Sequence, residues 1–369
     1  VPAGSSGDPG ISLGNDPPAY ILREPPANQH VNAGSRASFT VTASGPNLAY
    51  QWKKNGVAIA GATAATYVIA SATAADMGFY SVVLNGPFES SVAILTVATG
   101  GPARLANLST RGFVPAGGDL TVGFSLRGGG KSLLVRAVGP TLGTFGVGGA
   151  LLDPRLDLIP SNASAATHSN DDWAGVSALT NAFASAGAFA LPAASKDAAL
   201  LATVAAGSCT ARVTTGATGA SGIALAEVYD RDAPGAASRL INLSTRGFVG
   251  TGAQALVPGF VIEGTEAKRL LIRVVGPGLV PFGIAGALLD PQLRIIPLGQ
   301  TFTVASNDNW DGSAATTLVF AQAGAFALPA ASKDAAVVVR LPPGGYTVVV
   351  SGVGNTTGTA LVEIYDLDP

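Results

Sequence analysis

Apolar and polar residues alternate in short runs along most of this chain, and Gly, Pro, Asn or Asp interrupts them every few positions. That pattern predicts strands. Between residues 19 and 99, Ser38-Phe-Thr-Val-Thr42 alternates, Tyr50-Gln-Trp-Lys-Lys54 reads as an aromatic strand, and Asp76-Met-Gly-Phe-Tyr80 leads into Ser81-Val-Val-Leu84. From Arg104 onward the runs lengthen: Arg104 to Thr110, Leu120 to Leu126, and Ser132 to Val138, which stops at a Gly-Pro pair where ladder pairing cannot continue. Further strands are predicted at Ala199–Val204, Thr210–Thr214 and Ile223–Tyr229. Only Val176 to Ala186, and its counterpart at Ala314 to Ala323, has the pattern of a short helix.

The second half rewrites the first. Residues 104–230 return as 239–366, in places letter for letter: Asn107 to Val114 as Asn242 to Val249, Gly149 to Pro154 as Gly286 to Pro291, and Ala186 to Ala199 as Ala323 to Ala336. The expected organisation is a leader at 1–18, one domain at 19–99, and two tandem β-sandwich modules at 104–232 and 239–369. The predicted fold class is all-β.

The front domain resembles an immunoglobulin-like sandwich. Trp52 matches the core tryptophan of its third strand, and Asp76, Gly78 and Tyr80 match the tyrosine corner. Where the antibody-type domain carries its two cysteines, this chain has Val41 and Val82. The resemblance implies the same sandwich closed by aliphatic packing. In the modules, the order Asp153-Pro-Arg-Leu156 then Asn170-Asp-Asp-Trp173, and in the second copy Asp290 to Leu293, Asn307 to Trp310 and Gly345 to Gly352, resembles jelly-roll domains appended to secreted bacterial proteases. The first copy departs from that pattern at Gly207 to Val213. In that family the acidic loop can hold calcium, which implies Asp153, Asp171 and Asp172 in copy one and Asp290 and Asp308 in copy two as the candidate ligands; hard cations take converging carboxylate oxygens. Against calcium, Asn309 replaces Asp172 in the second copy, and turn chemistry is the competing reading. No other cofactor is implied.

Charged residues make up only 12% of the chain and the net charge is −2, so no basic stripe exists for a phosphate backbone and nucleic acid is not an expected partner. No apolar run is long enough for a transmembrane segment. A weakly charged surface of this kind packs against copies of itself or carries glycans; Asn107, Asn162, Asn242 and Asn355 each open an Asn-x-Ser/Thr triplet. Cys209 is the single cysteine, so no internal disulfide is expected, and its slot in the second copy holds Tyr346.

An acid–base enzyme needs a poised histidine or a pair of unlike carboxylates. His168 is the only histidine of the duplicated region and copy two has Ala305 there, and His30 has no ligand at metal spacing beside it. Arg136 and Arg273 stand inside apolar strands, so each points to an acidic partner, Asp171 and Asp308 or Glu227 and Glu363, or out to solvent on an alternating face; a structural ion pair is the expected role. The expectation is a non-enzymatic protein, secreted or at the cell surface, that assembles into a filament or lattice through β-edge contacts or serves as an adhesive stalk. Ile11, Ser12 and Leu13 of the leader form the candidate added strand. The alternative is a carbohydrate-binding or accessory module of a secreted enzyme.

Overall fold

A computed structural model describes residues 21–86, 88–232 and 235–368. The leader, with Ile11, Ser12 and Leu13, lies outside the described residues. The front domain contains β1 (Ile21–Glu24), β2 (Gln29–Asn32), β3 (Ala37–Thr40), β4 (Thr42–Ser44), β5 (Tyr50–Lys54), β6 (Val57–Ala58), β7 (Thr66–Ile69), β8 (Gly78–Leu84), β9 (Phe88–Glu89) and β10 (Ala93–Ala98). A sheet in the order β2-β10-β8-β5-β6 faces the pairs β3–β7 and β1–β4. Trp52 is fully buried between them and Phe39 stacks on Tyr80 at 4.6 Å. The Tyr80 hydroxyl donates to the Asp76 carbonyl at 2.7 Å, which closes the tyrosine corner. Val41 and Val82 sit in the same core, so aliphatic packing stands where a disulfide could.

Copy one contributes β11 (Ala103–Val114), β12 (Asp119–Arg127), β13 (Lys131–Val138), β14 (Arg155–Pro160), β15 (His168–Asn170), α1 (Ser177–Ser185), β16 (Ala198–Val204), β17 (Gly207–Thr214) and β18 (Gly222–Asp230). Copy two repeats them as β19 (Arg239–Val249), β20 (Val257–Gly264), β21 (Lys268–Val275), β22 (Pro291–Pro297), β23 (Ala305–Asn307), α2 (Ala314–Ala323), β24 (Ala335–Leu341), β25 (Gly344–Gly352) and β26 (Gly358–Asp366). Within copy one the pairings give the orders β11-β18-β13-β16 and β12-β17-β14-β15, and copy two repeats both. In β12 inward positions are apolar and outward ones polar or glycine: Leu120, Val122, Phe124 and Leu126 are buried, with Thr121, Gly123 and Ser125 on the other face.

The copies are joined edge to edge in both layers. β12 pairs with β19 from Thr121↔Arg246 to Arg127↔Arg239, and β11 pairs with β20 from Ala103↔Gly264 to Arg111↔Val257, all antiparallel. One layer therefore runs β15-β14-β17-β12-β19-β26-β21-β24, and the other runs β23-β22-β25-β20-β11-β18-β13-β16. Where β11 and β19 approach, Thr110 and Thr245 share a buried hydrogen bond of 2.7 Å, and Phe113 meets Phe248 edge-on. Two glycines let the copies pack closely beside that point. A Cβ on Gly112 would stand 2.9 Å from Leu120 and 3.1 Å from Leu256, and one on Gly247 would meet the same two leucines at 3.1 and 3.0 Å. One hydrophobic cluster spans residues of both copies.

Because two ladders and a shared core cross this seam, cleavage of the connection between the copies should not separate them. With a protease site inserted at Gly235–Ser238, both fragments are expected to co-elute after cutting and to separate only in denaturant. Two independent peaks in size-exclusion chromatography without denaturant would contradict the shared core.

Candidate functional site

Three arrangements gather polar or titratable groups: the loops that carry the nominated aspartates, a buried arginine cage in each copy, and the junction between front domain and copy two.

Asn170 closes the loop that follows β15. Its side chain donates to the Asp172 carbonyl and accepts from the Ala199 N–H, and Asn307 repeats both bonds in copy two. Trp173 and Trp310 follow as buried plugs whose indole N–H groups donate to the Pro192 and Pro329 carbonyls. Asp153 is buried, Asp171 and Asp172 are half-buried, and Asp308 is exposed. The Lys196 ammonium holds Asp172 at 2.7 Å, and that carboxylate, together with Asp153 and Asp171, raises the lysine pKa. In copy two Lys333 pairs with Asp290 instead. Among the described residues no group of three or more His, Cys, Asp and Glu side chains is arranged to hold a metal ion. Of the five aspartates nominated for calcium, Asp153, Asp171, Asp172, Asp290 and Asp308, two pair with an ammonium group, and Asp153, Asp171, Asp172 and Asp290 each have a buried Oδ1 without a hydrogen-bond partner.

Arg136 is fully buried. Its Nε and Nη2 donate to Glu227 Oε2 at 2.8 and 2.5 Å, and its Nη1 donates to the Phe189 carbonyl at 2.6 Å. The guanidinium lies 4.3 Å from the Phe189 ring centre and 4.9 Å from that of Phe183. The Tyr229 hydroxyl donates to the second oxygen of Glu227 at 2.7 Å; burial first, then the neighbouring carboxylate, pushes the phenol pKa up and keeps it protonated. Arg273, Glu363, Tyr365, Phe320 and Phe326 reproduce the cage. Glu227 and Glu363, rather than Asp171 and Asp308, are thus the acidic partners. Each nitrogen of both guanidinium groups has a hydrogen-bond partner, which is the condition under which a buried ion pair is tolerated.

Nearby, Asp197 accepts from the Gly139 N–H, from Ser195 Oγ and from the Thr141 hydroxyl, so the Ser-Lys-Asp loop is a hydrogen-bonded brace beneath the turn at Pro140–Phe145. His168 is exposed at the sheet edge and His30 Nδ1 lies 2.9 Å from Thr96 Oγ1. Cys209 is buried, and burial pushes its thiol pKa up, so it is not poised as a nucleophile.

The junction was the feature least visible in the sequence. Phe79 of the front domain meets Phe302 and Tyr346 of copy two edge-on, at 5.8 and 6.3 Å, and Tyr346 stacks on Phe260 at 5.2 Å. Beside it, Glu266 Oε2 accepts from the backbone N–H groups of Thr99 and Gly100 at 2.6 and 2.8 Å. In copy one the position of Tyr346 is Cys209, that of Phe302 is Ala165 and that of Val304 is Thr167. The rings are present on the copy that seats the front domain.

No protein-family model matches the chain, and no curated protein matches it. Solved structures similar to it are single immunoglobulin domains or arrays of them. Domain I10 from titin is 25% identical, with 22% of this chain and 99% of that one covered and a TM-score of 0.20. Domain I81 from titin is 22% identical over 21% and 95% of the two chains, with a TM-score of 0.19. The tandem Ig repeats of Dlar are 19% identical over 21% of this chain, which spans less than half of that protein, 45%, with a TM-score of 0.20. No helix among the described residues is long and apolar enough to cross a membrane.

Burial raises the pKa of Glu266, but the Thr99 and Gly100 hydrogen bonds outweigh it, and the carboxyl titrates below its ordinary value. A lowered folded-state pKa stabilises the clasp above the ordinary glutamate value of about 4.3, and the contribution is lost as pH falls below it. Fluorophores at the exposed positions Val57 and Leu298 should therefore report a looser junction on acidification from neutral pH to about 3. Glu266→Gln should flatten that response; an unchanged pH profile in the variant would remove Glu266 from the clasp.

Proposed function

We propose that the chain is a non-enzymatic structural protein that works outside the cell as an adhesive stalk. The observation that carries this reading is the continuity of both β layers across the two copies, with the front domain seated on one of them by Phe79 and Glu266. Interfaces between domains of one chain ordinarily permit relative motion, whereas a large apolar core shared by two ladders does not. The buried polar groups support the same reading, because the Arg136 and Arg273 cages and the Asp197 and Asp334 braces are spent on holding turns and sheets together. The strand order within each copy, β11-β18-β13-β16 over β12-β17-β14-β15, fits the two nested Greek keys of a jelly roll, which supports the resemblance to modules of secreted proteins.

Force tests the stalk directly. Pulled between its ends, the molecule is expected to unfold in two events, a short one for the front sandwich and a long one for the joined copies. Three events, with the copies yielding one after the other at similar length, would mean that each is an independent bead.

A second reading, assembly into a filament or lattice, is favoured by the outer strands. Among the described residues β15, β16, β23 and β24 each have one strand neighbour in their layer, the arrangement that strand addition would extend. Ile11, Ser12 and Leu13 would supply the added strand. Deleting residues 1–18 should then abolish filaments seen by negative-stain electron microscopy; filaments that persist would rule out strand donation by the leader.

A further inference from the structure

The outward face of β17, β12 and β19 forms a trough whose floor carries more hydroxyl side chains than the pseudo-equivalent face of β25, β20 and β11. Two rows of side chains cross it in register: Thr210, Gly123 and Ser244, then Ser208, Ser125 and Asn242. Gly123 makes the trough: a Cβ there would lie 2.5 Å from Ser244 Oγ, so no side chain fills the centre of the floor. Copy two supplies one wall. At one end it presents Phe282, 63% exposed and held edge-on against Phe326 at 5.1 Å; at the other it presents the end of α2 and Tyr365. The two ends hold cavities of about 310 and 470 Å³. Thr121 and Gly123 line one and Ser125 and Arg127 the other, successive outward positions along about 20 Å of β12 at roughly 3.3 Å per residue.

The geometry points to this trough as a binding groove for an uncharged oligosaccharide, a proposal that rests on the adhesive reading above and gives it a ligand class. Hydroxyl and amide side chains both donate and accept, as sugar hydroxyls do, and they are repeated here at strand spacing. An exposed, immobilised ring beside them offers an apolar plane to the C–H face of a pyranose. Charge at the rim is partly compensated: Arg212 pairs with Asp157 at 3.0 Å and Arg246 lies 3.9 Å from Asp119, while Arg127 stands exposed at one end beside Asp366 and Asp368, so an anionic sugar that binds in place of neutral ones would overturn the uncharged class. The pseudo-equivalent face on the opposite layer supplies an internal control. There Val257, Val261 and Gly345 stand where Thr121, Ser125 and Ser208 line the trough, while Thr347, Gly259, Ser109 and Asn107 keep the places of Thr210, Gly123, Ser244 and Asn242 and Phe145 is exposed in the place of Phe282, so the three lost hydroxyls are what separates the two faces.

The test uses the full chain on an array of neutral plant and bacterial oligosaccharides, followed by calorimetry of the best binder. Phe282→Ala and Asn242→Ala are expected to weaken binding by about tenfold or more, while Phe145→Ala leaves it unchanged. Thermal melts of all three variants should match the parent, which separates lost contacts from lost folding. An array with no binder overturns the proposal, and so does a binder that is indifferent to Phe282 and Asn242. Saturable binding of an extended peptide that neutral sugars do not compete away would also overturn it. The stalk reading stands or falls separately: a silent array with two unfolding events under force refutes the groove alone, and sugar binding with three events refutes the stalk alone.

Discussion

The hydrogen bond between Thr110 and Thr245, with Gly112 and Gly247 beside it, marks the closest approach of the two first strands, and the rest of the molecule depends on that approach. A single buried hydroxyl pair contributes only about 1 kcal/mol. Its importance is geometric. With no side chain on either glycine, Leu120 and Leu256 fill the space between the copies, and β11 and β19 come close enough for each copy's inner edges to be completed by the other's. Four strand edges that would otherwise be exposed are thereby paired, which removes the hazard of indiscriminate edge-to-edge association at the centre of the chain. A side chain at either glycine would have to displace a leucine, and the effect would reach both layers at once.

The blocks repeated without change map onto the parts of the structure that tolerate least variation. Asn107 to Val114 and its twin are the seam strands, and each packs against the other around a local twofold relation, so the same residues serve both sides. Ala186 to Ala199 and its twin contain Phe189 and Phe326, which cover the buried arginines, and Asp197 and Asp334, which brace the neighbouring turns. Gly149 to Pro154 and its twin pass over the end of the closing strand through the bridges Ala150↔Ile223 and Ala287↔Thr359. Removing either partner of an arginine cage would strand a charge in a space sealed by aromatic rings, a cost on the order of 3–5 kcal/mol.

Much of this was legible in the residue order, because it rests on local pattern. Alternation located most strands, the tyrosine corner and Trp52 placed the front sandwich, and an arginine inside an apolar strand pointed to an acidic partner or to solvent. What the residue order could not give was which edge meets which. Pairing between β12 and β19, or β11 and β20, joins positions more than a hundred residues apart, and the same alternating strands would satisfy an isolated sandwich equally well. The partners of the aspartates were hidden for a related reason: Lys196 and Lys333 come from a different loop and reach Asp172 and Asp290 only once the sheet has folded.

The differences between the copies carry information that their similarity does not. Duplicated modules begin with the same surfaces, and each position then meets whatever lies against it in the folded chain. Copy two has Phe302, Val304 and Tyr346 at the face that receives Phe79, while copy one has Ala165, Thr167 and Cys209 at the corresponding positions, with no front domain against them. Conversely, copy one has Thr121, Ser125 and Ser208 along its outer trough, where copy two has Val257, Val261 and Gly345. Apolar rings follow an apolar neighbour, because an exposed ring leaves apolar area in water at about 25 cal/mol per Å². By the same reasoning, a strip of hydroxyls aligned in register beside an exposed phenylalanine is not what a merely solvated sheet face requires, since charged side chains would solvate it as well. The asymmetry therefore separates two uses of one scaffold, a seat for the front domain on one copy and a polar trough on the other.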